Sequence, residues 1–396
     1  MKNSILIGTV ITAVLFSSVL PVQAKETSSE ADSSSFQLTE DVKSAILIER
    51  DTGEILFDEN SDKKLPPASM TKVMTLLLIM EALDTGDLQL DEYVTVSERA
   101  SSMGGSQVFL GAGEEMTVND LLKGIAIASG NDASVALAER ISGSEKEFVK
   151  KMNEKVKELA LENTHFENSS GLPADNHYST SHDMAIIAKE LLKYESITDY
   201  TSVYDDYLRK GEDNEFWLVN TNKLVKFYPG VDGLKTGFTN EAMYCLTATA
   251  KKNDMRVITV VMGAETPKER NATVSQLLDY AFNHFDTEKL YEKAEHVTSL
   301  ELLKAEDKEI NVVTSESISM IHKKGDEAVT HTTTIKLEED LQLPLKKGDQ
   351  VGLLTVKDEN KVILTSPLII DADANQASYL TLVKKVAQNL VKSPSF

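Results

Sequence analysis

The sequence predicts a chain of mixed α/β (α+β) class, in which an antiparallel sheet and a helical subdomain make one domain and a small all-β domain follows. Three observations carry this. Short β-favouring runs stand at both ends of the stretch 42–286, the strong helical patterns lie between them, and after about His284 β-type pieces and charged turns take over. A chain of 396 residues, 41% of them hydrophobic, is longer than one ordinary domain needs and can bury a sizeable core.

Residues 1–24 comprise Lys2, an apolar run from Ile5 to Leu20 and the small-residue ending Val22-Gln23-Ala24, the layout of a signal peptide cut after Ala24. The apolar run is shorter than the about 20 residues of a spanning helix. Export across the cytoplasmic membrane is the expectation. Residues 25–41 are rich in Ser, Thr and acids and read as a flexible leader.

Within 42–286, Ser44–Glu49 and Glu54–Phe57 are predicted strands joined by the turn Arg50-Asp51-Thr52-Gly53. Pro66-Pro67-Ala68-Ser69 leads into Met70–Leu83, a helical stretch apolar almost all round, which belongs in a core. Val118–Ala128 and Asp132–Ile141 read as helices broken at Ser129-Gly130-Asn131, and Lys146–Leu161 as an amphipathic helix. Leu234–Thr236, Met243–Ala250 and Arg256–Met262 read as strands, and Asn271–Phe285 as a helix. The strands at the two ends are expected to share one sheet.

Residues 287–375 form the expected small β-sandwich-like domain, with strands such as Ile310–Thr314, Thr332–Leu337, Gln350–Val356 and Lys361–Leu364. In 376–396, Tyr379, Leu382, Val383, Val386, Leu390 and Val391 recur at helical spacing, with Lys384, Lys385 and Lys392 elsewhere on the surface. Such an amphipathic helix either packs on its own protein or makes a peripheral membrane contact, and lysines in an acidic chain favour the membrane.

Forty-one Lys and Arg against 63 Asp and Glu leave a net charge of −22. Removing residues 1–24 takes one Lys and no acid, so the mature balance is 40 against 63, or −23. Such a surface repels nucleic acid and excludes it as a partner. Cys245, the single cysteine, can form no intrachain disulfide and reads as a core filler. His177 and His182 stand five apart with no Cys or carboxylate in register, so neither a metal nor any other cofactor is expected.

The chemistry concentrates in three short motifs. Ser69-Met70-Thr71-Lys72 puts a hydroxyl and an amine three residues apart at the start of the buried helix, on one face. A serine hydroxyl needs a base, and a desolvated lysine near another cation can lose its proton and serve as one. Ser-x-x-Lys alone is weak evidence, and a second copy at Ser61 to Lys64 lacks the following apolar helix. Ser129-Gly130-Asn131 forms an interhelical turn whose Ser can pass a proton to a leaving amine while Asn131 bonds Lys72 and a substrate amide. Lys235-Thr236-Gly237 lies on a strand, where a cation and a hydroxyl can hold a carboxylate and the glycine lets a substrate backbone approach.

With Ser69, Ser129 and Lys235 in this order on a helix start, an interhelical turn and a strand, the chain resembles the low-molecular-weight penicillin-binding proteins, the D-Ala-D-Ala carboxypeptidases of peptidase family S11. Pro67-Ala68, Met103-Gly104-Gly105-Ser106, Asp132-Ala133, Asn168 with Gly171-Leu172, and Phe238-Thr239 extend the likeness, which is nearest to sporulation-associated members. The resemblance implies a β-lactamase/transpeptidase-like domain that removes the terminal D-alanine from peptidoglycan stem pentapeptides and is acylated by β-lactams. It implies Ser69 as nucleophile, Lys72 as base, Ser129 as proton relay, Lys235 and Thr236 on the carboxylate, and the backbone amides of Ser69 and Phe238 as oxyanion hole. Arg270, in Ala264–Arg270, lies where members carry a basic residue near the site, and is expected at the surface. A class A β-lactamase would need a glutamate-centred loop that Glu167-Asn168-Ser169-Ser170-Gly171-Leu172 does not match, and a non-catalytic β-lactam sensor would not need Lys72, Ser129 and Lys235 intact.

Overall fold

The computed structural model describes residues 42–383 apart from 303, 308, 327–330, 359–360 and 380. The expected signal peptide, the leader and the 376–396 helix beyond 383 lie outside the described residues. The elements that position the site are β1 (Ser44–Glu49), β2 (Ile55–Glu59), a 3₁₀ turn (Ala68–Thr71) and α1 (Lys72–Asp84). These are followed by α2 (Val118–Ala126), α3 (Asn131–Ser142), α4 (Glu145–Glu158) and α5 (Ser181–Leu191). The domain closes with β3 (Val231–Thr239), β4 (Met243–Lys252), β5 (Met255–Ala264) and α6 (Pro267–His284).

The strands at both ends do share one sheet, in the order β2-β1-β5-β4-β3 with every neighbour antiparallel. Every residue of β1 is buried, which requires cover on both faces, and α5 and α6 pack against it and β5. Between Lys72 and Met80 helix α1 has no exposed residue, so the helix runs through the core as its all-round apolar pattern predicts. Its anomaly is Lys72, a charged residue type at 0% exposure.

One helix start differs clearly from the sequence reading, for a capping reason. The last helix begins at Pro267 rather than Asn271, because the Thr266 hydroxyl accepts from Glu269 N and Pro267 fills the first turn, where its missing N–H costs nothing. Helix α5, for which no expectation was drawn, is opened by Thr180 accepting from Asp183 N. The lone cysteine, Cys245, is 0% exposed in β4, and burial pushes its thiol up to about 11, in keeping with a packing role.

The second domain contains β6 (Phe285–Tyr291), β7 (His296–Leu300), β8 (Ile310–Thr314), β9 (Ile318–Lys323), β10 (His331–Leu337), β11 (Gln350–Asp358) and β12 (Lys361–Ile370). They form a five-stranded sheet in the order β7-β8-β12-β11-β10 and a β6-β9 pair around a core that includes Val312, Val351, Leu354 and Leu368. The β1–β2 turn ties the domains together: Arg50 Nη1 donates to Ser317 Oγ at 2.7 Å, and Ser319 Oγ to Asp51 Oδ2 at 2.6 Å.

Candidate active site

Ser69 sits on the 3₁₀ turn and Lys72 opens the α-helix behind it, a tighter start than the α-helical one expected. At three residues per turn, positions i and i+3 eclipse, and Lys72 Nζ lies 3.1 Å from Ser69 Oγ. The same Nζ donates to Asn131 Oδ1 at 2.6 Å and to the Ser170 carbonyl at 2.7 Å. None of these partners is a carboxylate. Burial, and then the neighbouring Lys235 ammonium, hold the Lys72 amine well below the usual lysine range, with Asp132 opposing.

That arrangement sets what the amine can do once it has lost its proton. The two carbonyl oxygens can only accept, so in the deprotonated state they take both N–H groups of the amine and its lone pair is left for the Ser69 hydroxyl proton. The geometry is that of a base facing a nucleophile.

Ser129 and Asn131 arrive from the α2–α3 turn. Ser129 adopts φ 65°, and its buried hydroxyl oxygen has no hydrogen-bond partner among the described residues. An orphaned buried hydroxyl costs about 1–3 kcal/mol, which marks a group kept for a partner that comes and goes. Asn131 donates through Nδ2 to the Gly104 carbonyl at 2.6 Å, and its N–H bonds Ser106 O at 2.8 Å, joining the Met103–Ser106 loop to the site.

On β3, Lys235 is 1% exposed, and burial followed by the Arg270 guanidinium brings its amine down to about 7. Thr236 Oγ1 donates to Thr221 Oγ1 at 2.7 Å, and Thr221 N bonds the Ile127 carbonyl, so the strand is pinned to the end of α2. A Cβ on Gly237 would lie 2.7 Å from Pro67 O and 3.2 Å from Met70 N. Only glycine lets β3 close on the turn that bears Ser69. Phe238 stays exposed, its ring stacked on Tyr244 with centroids 4.4 Å apart.

Arg270, expected at the surface, is buried at 6% exposure. Because α6 starts at Pro267, Arg270 shares a face with the buried Val274, Leu277 and Ala281 and its charge is felt at Lys235. The Thr266-Pro267 helix start was the signal that would have placed it.

Two further features escaped the sequence reading. Asn168 Oδ1 accepts from the N–H groups of Ser170, Gly171 and Leu172, at 3.2, 2.7 and 3.1 Å, and this clasp aims the Ser170 carbonyl at Lys72. His177, weighed earlier only as a metal ligand, lies 2.8 Å through Nε2 from Thr71 Oγ1. Its Nδ1 accepts from Glu167 N, so Nε2 carries the proton and donates to Thr71, and burial lowers its pKa to about 4. The decoy pair does not assemble: Ser61 Oγ donates to Asp58 at 2.6 Å, while Lys64 Nζ lies over the Tyr178 ring at 4.7 Å. Among the described residues no group of His, Cys, Asp and Glu is placed to hold a metal ion.

The clasp loop also carries a prediction. Gly171 has φ +86°, and a Cβ there would lie 1.9 Å from Ala68 O. Gly171→Ala is expected to cost about 3–5 kcal/mol through backbone strain and displacement of the Ser69 turn. A denaturation midpoint within about 0.5 kcal/mol of the parent would contradict this packing.

Residues 28–266 match the D-alanyl-D-alanine carboxypeptidase family, peptidase S11. The chain belongs to this family. Its second domain, over residues 285–376, matches the C-terminal domain of penicillin-binding protein 5. The chain is 55% identical over 356 residues to D-alanyl-D-alanine carboxypeptidase DacF of Bacillus subtilis (strain 168), covering 90% of this chain and 92% of that one. It is similar in structure to penicillin-binding protein 5 from Haemophilus influenzae, with TM-score 0.65 and 31% identity over 85% of this chain and 98% of that one. Penicillin-binding protein D2 from Listeria monocytogenes, solved in an ampicillin-bound form, aligns with TM-score 0.54 and 32% identity over 62% of this chain and 99% of its own.

Proposed function

We propose that this family member is a serine D-Ala-D-Ala carboxypeptidase that removes the terminal D-alanine of peptidoglycan stem pentapeptides through an acyl-enzyme on Ser69. The observation that carries this is the buried Lys72 amine, held by two carbonyl oxygens and 3.1 Å from the Ser69 hydroxyl. Lys72 takes the hydroxyl proton as Ser69 Oγ attacks the carbonyl carbon of the penultimate D-alanine. The backbone N–H groups of Ser69 and Phe238 receive the oxyanion, donors in place before the charge develops. The Ser129 hydroxyl passes the proton to the departing amine, the peptide bond breaks, and D-alanine leaves. Water, deprotonated by the same lysine, then cleaves the ester. Lys235 and Thr236 hold the terminal carboxylate, and Asn131 and Gly237 flank the substrate backbone.

A β-lactam acylates the same serine, but the amine released when the lactam C–N bond breaks stays tethered to the acyl group. No metal or cofactor takes part in this scheme. Glu167 offers no deacylating carboxylate in the manner of a β-lactamase: it is exposed, with its carboxylate 3.4 Å from His165 Nδ1, and the loop beside Ser69 turns a peptide carbonyl to Lys72 instead.

Residues 42–286 constitute the catalytic domain and 287–375 the accessory β domain. Export by the 1–24 segment brings the site to the extracytoplasmic face, where peptidoglycan is found, and the likeness to sporulation-associated carboxypeptidases supports a role in spore formation. Among the described residues no helix is long and apolar enough to cross a membrane.

Purified protein incubated with a D-Ala-D-Ala pentapeptide and, separately, with penicillin tests the reading. Free D-alanine and a long-lived penicilloyl adduct are expected. Rapid penicillin hydrolysis would instead identify a β-lactamase, and an adduct without D-alanine a sensor. The pH profile adds a second check. Lys235, brought down to about 7, loses its ammonium above that pH, so KM for the anionic substrate rises there, approaching about tenfold per pH unit. A KM flat from pH 6 to 9 would remove Lys235 from carboxylate binding.

A further inference from the structure

The hairpin of Asp205–Leu208 and Phe216–Val219 departs from the pattern its place on the domain sets. An antiparallel ribbon lying on a core turns apolar side chains inward and polar ones to solvent. The inward face obeys this, with Leu208 and Leu218 at 1% and 0% exposure. The outward face does not. Tyr207 and Trp217 stand directly opposite each other, so their side chains share that face, and they are 39% and 56% exposed. Large rings left to solvent side by side mark a binding surface.

The pair is held in place before anything binds, which lowers the cost of binding. At the loop end, Arg209 is ion-paired with Glu114 and donates to the Val108 carbonyl at 3.2 Å. At the base, Asn220 Nδ2 donates to the carbonyls of Thr201 and Val203 at 2.9 and 2.8 Å. Trp217 Nε1 donates to Asp205 Oδ2 at 3.2 Å, which orients the indole and leaves the carboxylate able to accept from further donors.

Area, charge and position name the occupant. Two partly exposed rings offer on the order of 200 Å², well short of the about 800 Å² a side that a stable protein partner buries. The acid beside them repels anions and accepts from hydroxyls. A pyranose sugar meets both conditions, laying its C–H face on a ring and donating its hydroxyls to the carboxylate. As to position, the chain runs from Trp217 to Thr221, whose hydroxyl oxygen accepts from Thr236 Oγ1 on the catalytic strand at 2.7 Å. Four residues of chain span no more than about 14 Å, and a five-residue stem reaches about 17 Å, so the rings lie within one stem length of the site.

We propose that Tyr207 and Trp217 form a platform for the sugar strand of peptidoglycan, which holds the polymer while a stem attached to it enters the site. Sugar binding itself stands apart from the carboxypeptidase reading, and only its link to the stem rests on that reading. Tethering raises the local concentration of the stem, so glycan-linked pentapeptide is cleaved in preference to free pentapeptide.

Trp217 is the only tryptophan in the chain, so its fluorescence reports this surface alone. Titration with glycan chains stripped of their stems is expected to give a saturable change in emission, and in Tyr207→Ala the midpoint should rise about five- to tenfold, the share of one ring in the stack. For D-alanine release, kcat/KM should be roughly tenfold higher for glycan-linked than for free pentapeptide. In the Tyr207→Ala, Trp217→Ala double variant this ratio should fall to about one, with the thermal melt and the kcat/KM for free pentapeptide unchanged. Trp217→Phe, which keeps a ring, should retain most of the ratio. Emission indifferent to glycan, or a ratio that survives the double variant, would overturn the proposal. So would a dimer in sedimentation that the double variant dissolves, since it would assign the rings to a second copy of the chain. Glycan binding without D-alanine release from either substrate would overturn the carboxypeptidase reading and leave the platform standing.

Discussion

Ser69→Ala is expected to lower D-alanine release by a factor on the order of 10⁵–10⁶, because removing a nucleophile leaves only binding and electrostatic stabilisation to act on water. The same variant should form no penicilloyl adduct at any incubation time. The fold should survive, since among the described residues the lost oxygen hydrogen-bonds one side chain, Lys72 Nζ at 3.1 Å. Circular dichroism and a thermal melt matching the parent, together with a blank labelled-penicillin gel, would complete the result. An adduct on the folded variant would mean that another residue is acylated.

Lys72→Met is expected to be nearly as damaging to rate, and it separates two roles. Loss of general base catalysis costs about 10²–10⁴ in kcat. Asn131 Oδ1 and the Ser170 carbonyl also lose a donor, at about 1–3 kcal/mol each for buried acceptors. Against this, the variant no longer carries an amine whose charged form the core disfavours, so its melting temperature should change far less than its activity. Lys72→Arg is the informative companion: it keeps a cation but cannot release a proton. Acylation by Lys72→Arg within tenfold of the parent rate would leave the amine a purely electrostatic role.

Much of this arrangement was legible from residue patterns because each motif is tied to a local structure with its own signal. The all-round apolar run after Ser69 required a core helix, and the β-type runs at Ser44–Glu49 and Arg256–Met262 required a shared sheet, so the nucleophile had to sit where helix and sheet meet. Less legible were features that depend on three-dimensional neighbours. Arg270 looks like any surface arginine until the helix start at Pro267 turns it inward. The place of His177 beneath Thr71 is a contact between residues 106 positions apart, with no periodicity to announce it. The Asn168 clasp uses a side-chain amide to gather three successive N–H groups, which a tripeptide reading records as an ordinary turn residue. The 3₁₀ turn lies against β3 at Gly237, a tertiary neighbour that the local sequence does not announce.

The third partner of Lys72 is a main-chain oxygen, that of Ser170. No replacement of the residue at 170 can delete it, because every amino acid brings the same carbonyl. Drift at this position can alter the hydroxyl that faces the Asn168 amide at 3.3 Å while the anchor of the amine persists. Heritable loss of that anchor must come through the path of the backbone, by way of Asn168 or Gly171, and such changes disturb the bed of the nucleophile at the same stroke.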